Sequence, residues 1–227
     1  MSYHLTDGIE FMKGLPDKSV DGIFSDPRWG NRLSKSSTGH RRPDLMIKGQ
    51  SNWLELIKAM TDEGARVLKE DGRCLLWFGC RQAGPVIKTV EALEYRWMIF
   101  VRYMPIRYMA SLQSFFDIII YFARSEAAWP KLPASGLMRP QEYFNASSGK
   151  PDTAHPCARP YRCVKDILRD WFEPGEYVID PFAGSDTTGF ACRELDLRWE
   201  SCEIDPKMYP TGLQRHRQML LFENGGG

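Results

Sequence analysis

The stretch "VIDPFAGSDTTG", Val178 to Gly189, limits the fold more than any other part of the chain. An apolar run stops at an acid, Asp180, and turns through a glycine-containing loop. It then re-emerges as helix-forming sequence, "FACRELD". A strand joined to a helix by so tight a turn is a βα unit. Its backbone N–H groups and helix start can approach an anionic ligand group. The turn is neither G-x-G-x-x-G nor the phosphate-binding G-x-x-x-x-G-K-[ST]. Further along, "SCEID" sets Glu203 at the end of the next apolar run, where a carboxylate can hold ribose hydroxyls. A nucleotide-like cofactor site is the favoured reading, and a purely structural strand–helix turn is the competing one.

The rest of the chain repeats the alternation. "SVDGIFSD" reads as a buried strand ending near Asp26, and "RCLLWFG" as a second. "NWLELIKAMTDEGARVLKEDG" carries Trp53, Leu56, Ile57, Met60, Ala65 and Leu68 at helical spacing, closed by Asp71-Gly72. "GPVIKTVEALEY" and "RCVKDILRDWF" read as further helices, and "EYVIDP" and "RWESCEI" as strands. "WMIFVRYMP" and "FDIIIYFAR" follow one another with no helix between them, which predicts an antiparallel pair. Residues 125–153, rich in Pro, Ser, Ala and Gly, read as irregular. The expected fold is α/β: a doubly wound, mostly parallel sheet with one antiparallel strand and a small irregular insert. At 227 residues the chain suits one domain, 1–227.

A formal net charge of +1 excludes a protein basic all over, so any nucleic-acid surface must be local. The 30–50 segment is such a place: Arg32, Lys35, Arg41 and Arg42 stand in it with Asp44 as its only acid. A solvated basic loop is the competing account. "RWMIFVRYMPIRYM" interleaves arginines with aromatics, as a nucleic-acid groove or core strands with arginines at their ends would. No apolar run approaches a membrane span, and nothing indicates secretion, so a cytoplasmic protein is expected. None of the six cysteines forms C-x-x-C and the histidines complete no zinc pattern. Reduced thiols and no metal are expected.

Three segments in order resemble the amino-methyltransferases of DNA, in their permuted β-group. "DPRW", Asp26 to Trp29, resembles the catalytic D-P-P-[YW] motif. "HPCARP", His155 to Pro160, resembles HP-x-x-x-P, and "DPFAGSDTTG" resembles DPF-x-GS-[GN]-TTG. The lead-in from Tyr3 also matches, with Asp7 where an acid near the cofactor adenine is expected. The resemblance covers nearly the whole chain except about 103–153, where that family places target recognition.

It implies a Rossmann-like methyltransferase fold with S-adenosyl-L-methionine bound across the strand ends. Asp7, Asp180, Phe182, Gly184, Ser185, Thr187 and Glu203 would surround it. Double-stranded DNA would be the partner and the target base would be flipped out. Asp26 and the Pro27 carbonyl would accept the amine hydrogens. Trp29 would stack on the base, worth roughly 1–3 kcal/mol. An acid at the first motif position favours adenine N6 over cytosine N4. The short recognition region implies a short target, loose specificity, or specificity supplied by a homodimer or second subunit.

Two positions depart from the pattern. Arg28 replaces a proline that would fix the direction of the Pro27 carbonyl. It brings a positive charge that could pair with a DNA phosphate or with Asp26. A tolerated variation, a natural pseudoenzyme and an introduced inactivating substitution are all compatible with it. Asp186 stands where Gly or Asn is expected, adding a charge to the cofactor turn. The competing functions are therefore a catalytically silent nucleic-acid-binding subunit and a cytosine-N4 or RNA methyltransferase.

Overall fold

The computed structural model describes residues 2–27, 53–109, 112–125, 142–145 and 159–224. Strand β1 (Ser2–Leu5) leads into helix α1 (Gly8–Lys13), whose first N–H groups are capped by Asp7. Strand β2 (Val20–Ser25) is buried along its whole length, as a central parallel strand must be. Helix α2 (Trp53–Val67) buries Ile57, Met60, Thr61, Gly64 and Val67, one face at helical spacing. It ends earlier than the sequence indicates. The chain enters β3 (Leu68–Gly79) at Leu68, because Val20 of β2 already pairs there, and the Asp71-Gly72 stop falls inside the strand.

After a 3₁₀ turn at Cys80–Gln82, helix α3 (Ala83–Thr89) is shorter than the apolar pattern implied. Strands β4 (Glu94–Met109) and β5 (Leu112–Ala123) form the expected antiparallel pair. Within the stretch read as irregular, β6 (Glu142–Asn145) adds a strand to the sheet edge beside β4. Four residues in a polar, proline-flanked context carry too little periodicity to reveal a strand. Then come α4 (Tyr161–Trp171), β7 (Tyr177–Asp180), α5 (Thr187–Glu194), β8 (Arg198–Glu203) and α6 (Tyr209–Asn224).

The sheet runs β1-β8-β7-β2-β3-β5-β4-β6, and β5 is antiparallel to both its neighbours while the other pairings are parallel. Side-chain alternation builds two cores. Ile23, Cys74, Leu76, Phe78, Ile118, Ile120 and Phe122 face the layer of α1, α2 and α3. Phe24, Leu75, Trp77, Ile119 and Tyr121 face α4, α5 and the start of α6. The doubly wound sheet expected from sequence is thus present.

This arrangement positions the site. Strands β7 and β2 are parallel neighbours, yet the chain leaves β7 for α5 on one face and β2 for α2 on the other. A crevice opens at the carboxyl ends where the direction of winding reverses, the usual ligand position in such sheets. Asp180 and Asp26 stand at the ends of those two strands.

Candidate active site

Asp180, at the tip of β7, is almost fully buried. Its Oδ1 accepts from Ser25 Oγ at 2.6 Å and from the Phe182 N–H at 3.1 Å, and its Oδ2 accepts from Thr188 Oγ1 at 2.6 Å. One carboxyl therefore ties the end of β7 to the end of β2 and to the first turn of α5. Burial pushes its pKa up to about 7, against the opposing pull of those hydrogen bonds.

The turn that follows is held from below. Gly184 adopts φ +56°, a left-handed conformation that glycine takes without penalty. Its N–H donates to Glu203 Oε2 at 3.0 Å, and its carbonyl accepts from the Tyr3 hydroxyl at 2.5 Å. Glu203, at the tip of β8, also accepts the Asp205 N–H on Oε1 at 2.8 Å. Asp7 caps α1 through Oδ1, which accepts from Ile9 and Glu10 N–H. The Thr6 N–H reaches the Glu203 carbonyl at 3.0 Å, so Asp7 and Glu203 emerge side by side. A Cβ on Gly8 would run into the Pro181 carbonyl oxygen, so glycine is needed for α1 to start this close to the turn.

Ser185 and Thr187 are buried in the turn, Thr187 accepting from Arg215 Nη1 at 2.6 Å, while Phe182 is partly exposed. The carboxylates of Asp7 and Glu203 each keep lone pairs beyond the N–H groups they accept. Two strand-tip acids, a partly exposed aromatic ring and a glycine turn form a set suited to a nucleoside with hydroxyls and a cationic centre.

Asp186 does not load the turn with an outward charge. It takes φ +52° at the N-cap of α5, is completely buried, and accepts the Gly189 N–H at 3.1 Å. Its other oxygen meets His216 Nε2 at 2.6 Å, and the imidazole lies flat on Trp199, with centroids 4.9 Å apart. Helix α6, which the strand and helix patterns did not signal, thereby braces the turn through Arg215 and His216. Removing one member of a buried pair leaves the other without compensation. His216→Ala is expected to cost roughly 2–4 kcal/mol in urea unfolding, with Asp186→Asn costing less. A loss under about 0.5 kcal/mol would show that α6 does not hold the turn.

On the other side of the crevice, Asp26 follows β2 and Pro27 is buried. Arg159 grips Asp26 with a two-point fork: Nε to Oδ2 at 2.6 Å and Nη2 to Oδ1 at 2.8 Å. Its Nη1 donates to Asp117 Oδ2 at 3.1 Å, and its guanidinium lies 4.8 Å from the centroid of the Trp77 ring. Trp77 Nε1 in turn donates to Asp117 Oδ2 at 3.0 Å. Asp117, midway along β5, opens the part of that strand that pairs with β3, and the antiparallel course sets it opposite Gly79 at the carboxyl edge of β3.

Of the residues singled out from sequence, Asp7, Asp180, Phe182, Gly184, Ser185, Thr187 and Glu203 gather at one end of the crevice, and Asp26 and Pro27 lie across it. Arg28, Trp29, Arg32, Lys35, Arg41, Arg42 and His155 lie outside the described residues. Sequence offered Arg28 a DNA phosphate or Asp26 as a partner, and that residue lies outside the described ones; among the described residues, Arg159 pairs with Asp26. Sequence reasoning did not single out Arg159, Asp117, Ser25, Thr188 or His216. The available signals were an arginine inside "HPCARP" and an acid opening the apolar run "FDIIIYFA".

Fold and site define a Rossmann-like, doubly wound α/β protein with acids at four strand ends. The family model described as DNA methylase matches residues 20–213, and the chain belongs to this N6/N4 DNA methylase family. The chain spans about a third of the first relatives it matches. Type II methyltransferase M.XycI of Xanthomonas campestris pv. cyanopsidis is 28% identical over 95 residues, 42% of this chain and 32% of that protein. M.HpaI of Haemophilus parainfluenzae is 22% identical over 236 residues, covering 92% of this chain and 72% of that protein.

Among solved structures, the cytosine-N4-specific PvuII DNA methyltransferase matches with a TM-score of 0.72 at 18% identity. That match covers 94% of this chain and 85% of that one. M1.HpyAVI in complex with SAM matches at 0.70 and 20% identity, covering 95% and 98%. No helix among the described residues is long and apolar enough to cross a membrane, and no group of three or more metal-ligating side chains occurs among them.

Proposed function

We propose that this protein transfers a methyl group from S-adenosyl-L-methionine to an exocyclic amine of a base in double-stranded DNA, adenine N6 being the favoured target. The observation that carries the proposal is the Ser25–Asp180 bridge at 2.6 Å, which joins the acid-lined glycine turn to the strand that ends in Asp26. The family, and relatives named as type II methyltransferases, support the same reaction. Bound over the turn, S-adenosyl-L-methionine supplies a methyl group on a cationic sulfur.

The chain's own residues do the rest. Glu203 and Asp7 hold the nucleoside part of the cofactor, Gly184 and Ser185 let the backbone approach it, and Phe182 packs beside it. Asp26 and the Pro27 carbonyl accept the two amine hydrogens, which turns the nitrogen lone pair toward the methyl group. The base reaches this position by leaving the duplex, because its amine is inaccessible in the stack. Trp29 stacks on it, and the basic 30–50 segment, with Arg32, Lys35, Arg41 and Arg42, contacts phosphates. Residues 103–153 contribute to target choice, with a homodimer or second subunit completing it, within a single domain 1–227.

A second reading, cytosine N4, is favoured by the likeness to the cytosine-N4-specific PvuII DNA methyltransferase. The test incubates this chain and its Arg28→Pro variant with labelled S-adenosyl-L-methionine and mixed-sequence duplex DNA. Nucleosides are then identified by mass spectrometry, with cofactor binding recorded in parallel. Labelled N6-methyldeoxyadenosine is expected. Labelled N4-methyldeoxycytidine would move the target to cytosine. Label from the variant alone would identify Arg28 as the lesion. Label from neither, with cofactor bound by both, would overturn the enzyme reading in favour of a silent nucleic-acid-binding subunit.

A further inference from the structure

We propose that Arg159 is a positioning residue for the methyl-accepting amine, acting through Asp26, and that Asp117 makes an arginine compatible with that role. The inference rests on the amine-methylation reading above. The Asp26 carboxylate stands at a strand tip, about a quarter to a third exposed, where its orientation decides which way its lone pairs point. The fork from Nε and Nη2 fixes the carboxylate plane, because both contacts are short and in register, as planar guanidinium–carboxylate pairs require. An ionised carboxylate offers about four lone-pair sites. A fork takes one site on each oxygen, so the guanidinium by itself does not saturate the carboxylate as an acceptor.

An arginine on Asp26 alone would cancel the negative charge that attracts an amine hydrogen. Asp117 counters this by taking Nη1 at 3.1 Å, so that one cation serves two acids. Trp77 covers the guanidinium face and pins Asp117 with its indole N–H. A group gripped by two carboxylates and a ring is costly to displace. Arg159 therefore stays in place when the base enters and aims the acceptor rather than plugging it. The same guanidinium links Asp26 to the N-terminus of α4, since Pro160, the next residue, is the N-cap of that helix.

The test uses the full chain, or its Arg28→Pro variant if only that form transfers methyl. Misplacing a reacting group by about 1 Å can cost roughly a hundredfold in rate. Arg159→Ala is accordingly expected to lower kcat about 30- to 100-fold, with KM for S-adenosyl-L-methionine within about twofold. Added guanidinium ion is expected to restore part of the rate. Arg159→Lys, which keeps the charge without the fork, is expected to recover only part as well. An Arg159→Ala protein as fast as its parent or faster would make the arginine a plug and overturn the proposal.

Equilibrium unfolding of the Asp26→Asn, Arg159→Ala cycle reads the clamp without any activity. Coupling of about fivefold or more between the two changes is expected, and additivity within about twofold would overturn the proposal. If neither background methylates DNA, the functional reading falls, while the unfolding cycle still decides whether Arg159 holds Asp26.

Discussion

Asp26→Asn is expected to reduce methyl transfer by roughly 10²- to 10³-fold while leaving cofactor binding almost unchanged. The change is nearly isosteric, so its effect is chemical. Asparagine has one acceptor oxygen where the carboxylate has two, and its NH₂ group would face an arginine N–H across the fork. Either rotamer breaks one arm of the fork and leaves a neutral acceptor for the amine. Cofactor contacts are proposed at β1, β7 and β8, on the far side of the crevice, and Ser25 still bridges to Asp180. Single-turnover transfer of a labelled methyl group, with cofactor binding followed by calorimetry, separates the two steps. A rate within tenfold of the parent would remove Asp26 from the reaction.

The second large effect concerns Asp180, whose carboxyl collects three donors in the interior. Asp180→Ala leaves two hydroxyls and a backbone N–H facing a small cavity. Unsatisfied buried groups cost about 1–3 kcal/mol each, and hydroxyl rotation recovers part of that, so a net loss of roughly 2–5 kcal/mol is expected. Urea unfolding below pH 3.8 is the suitable measurement, because the carboxyl is then mostly protonated in the folded and the unfolded chain and its titration adds little. A loss below about 1 kcal/mol would mean that the bridge between β7 and β2 is not structural.

The same group dictates a pH dependence. Its pKa rises from the ordinary 3.8 to about 7 on folding, because burial opposes the charged form. Between those values the folded protein keeps a proton that the unfolded chain has released. The associated stability is fully present below 3.8 and is lost as pH rises through about 7. Spread over that window it amounts to a few kcal/mol, at about 1.4 kcal/mol per pH unit. Asp180→Asn is expected to flatten this slope between pH 4 and 7. An unchanged slope would assign it to other groups.

Much of the fold was legible because its determinants are local. The run "VIDP", the turn and the helix start after it lie within twelve consecutive residues, and strand–turn–helix chemistry is decided at that range. The antiparallel pair was legible for the same reason, two apolar runs with no room for a crossover helix. The failures occurred where a neighbour overrode local preference. Leu68 to Gly72 continues a helical pattern, yet the backbone hydrogen bonds offered by β2 draw it into β3. The edge strand β6 exists because β4 presents an open edge to four residues of weak pattern.

Within the site, sequence by itself placed the acids at the strand ends: Asp26, Asp180 and Glu203 each close an apolar run, and the family resemblance added Asp7. Parallel strands bring their carboxyl ends to one edge. What faces what was decided only by the tertiary structure. Ser25 and Asp180 are 155 residues apart, Arg159 and Asp26 are 133, and Asp117 reaches the same cluster only because β5 runs against its neighbours. Such pairings depend on strand order and direction, which belong to the closed sheet as a whole. A window of sequence carries the period of an element and the chemistry of its ends, but not the identity of the strand beside it.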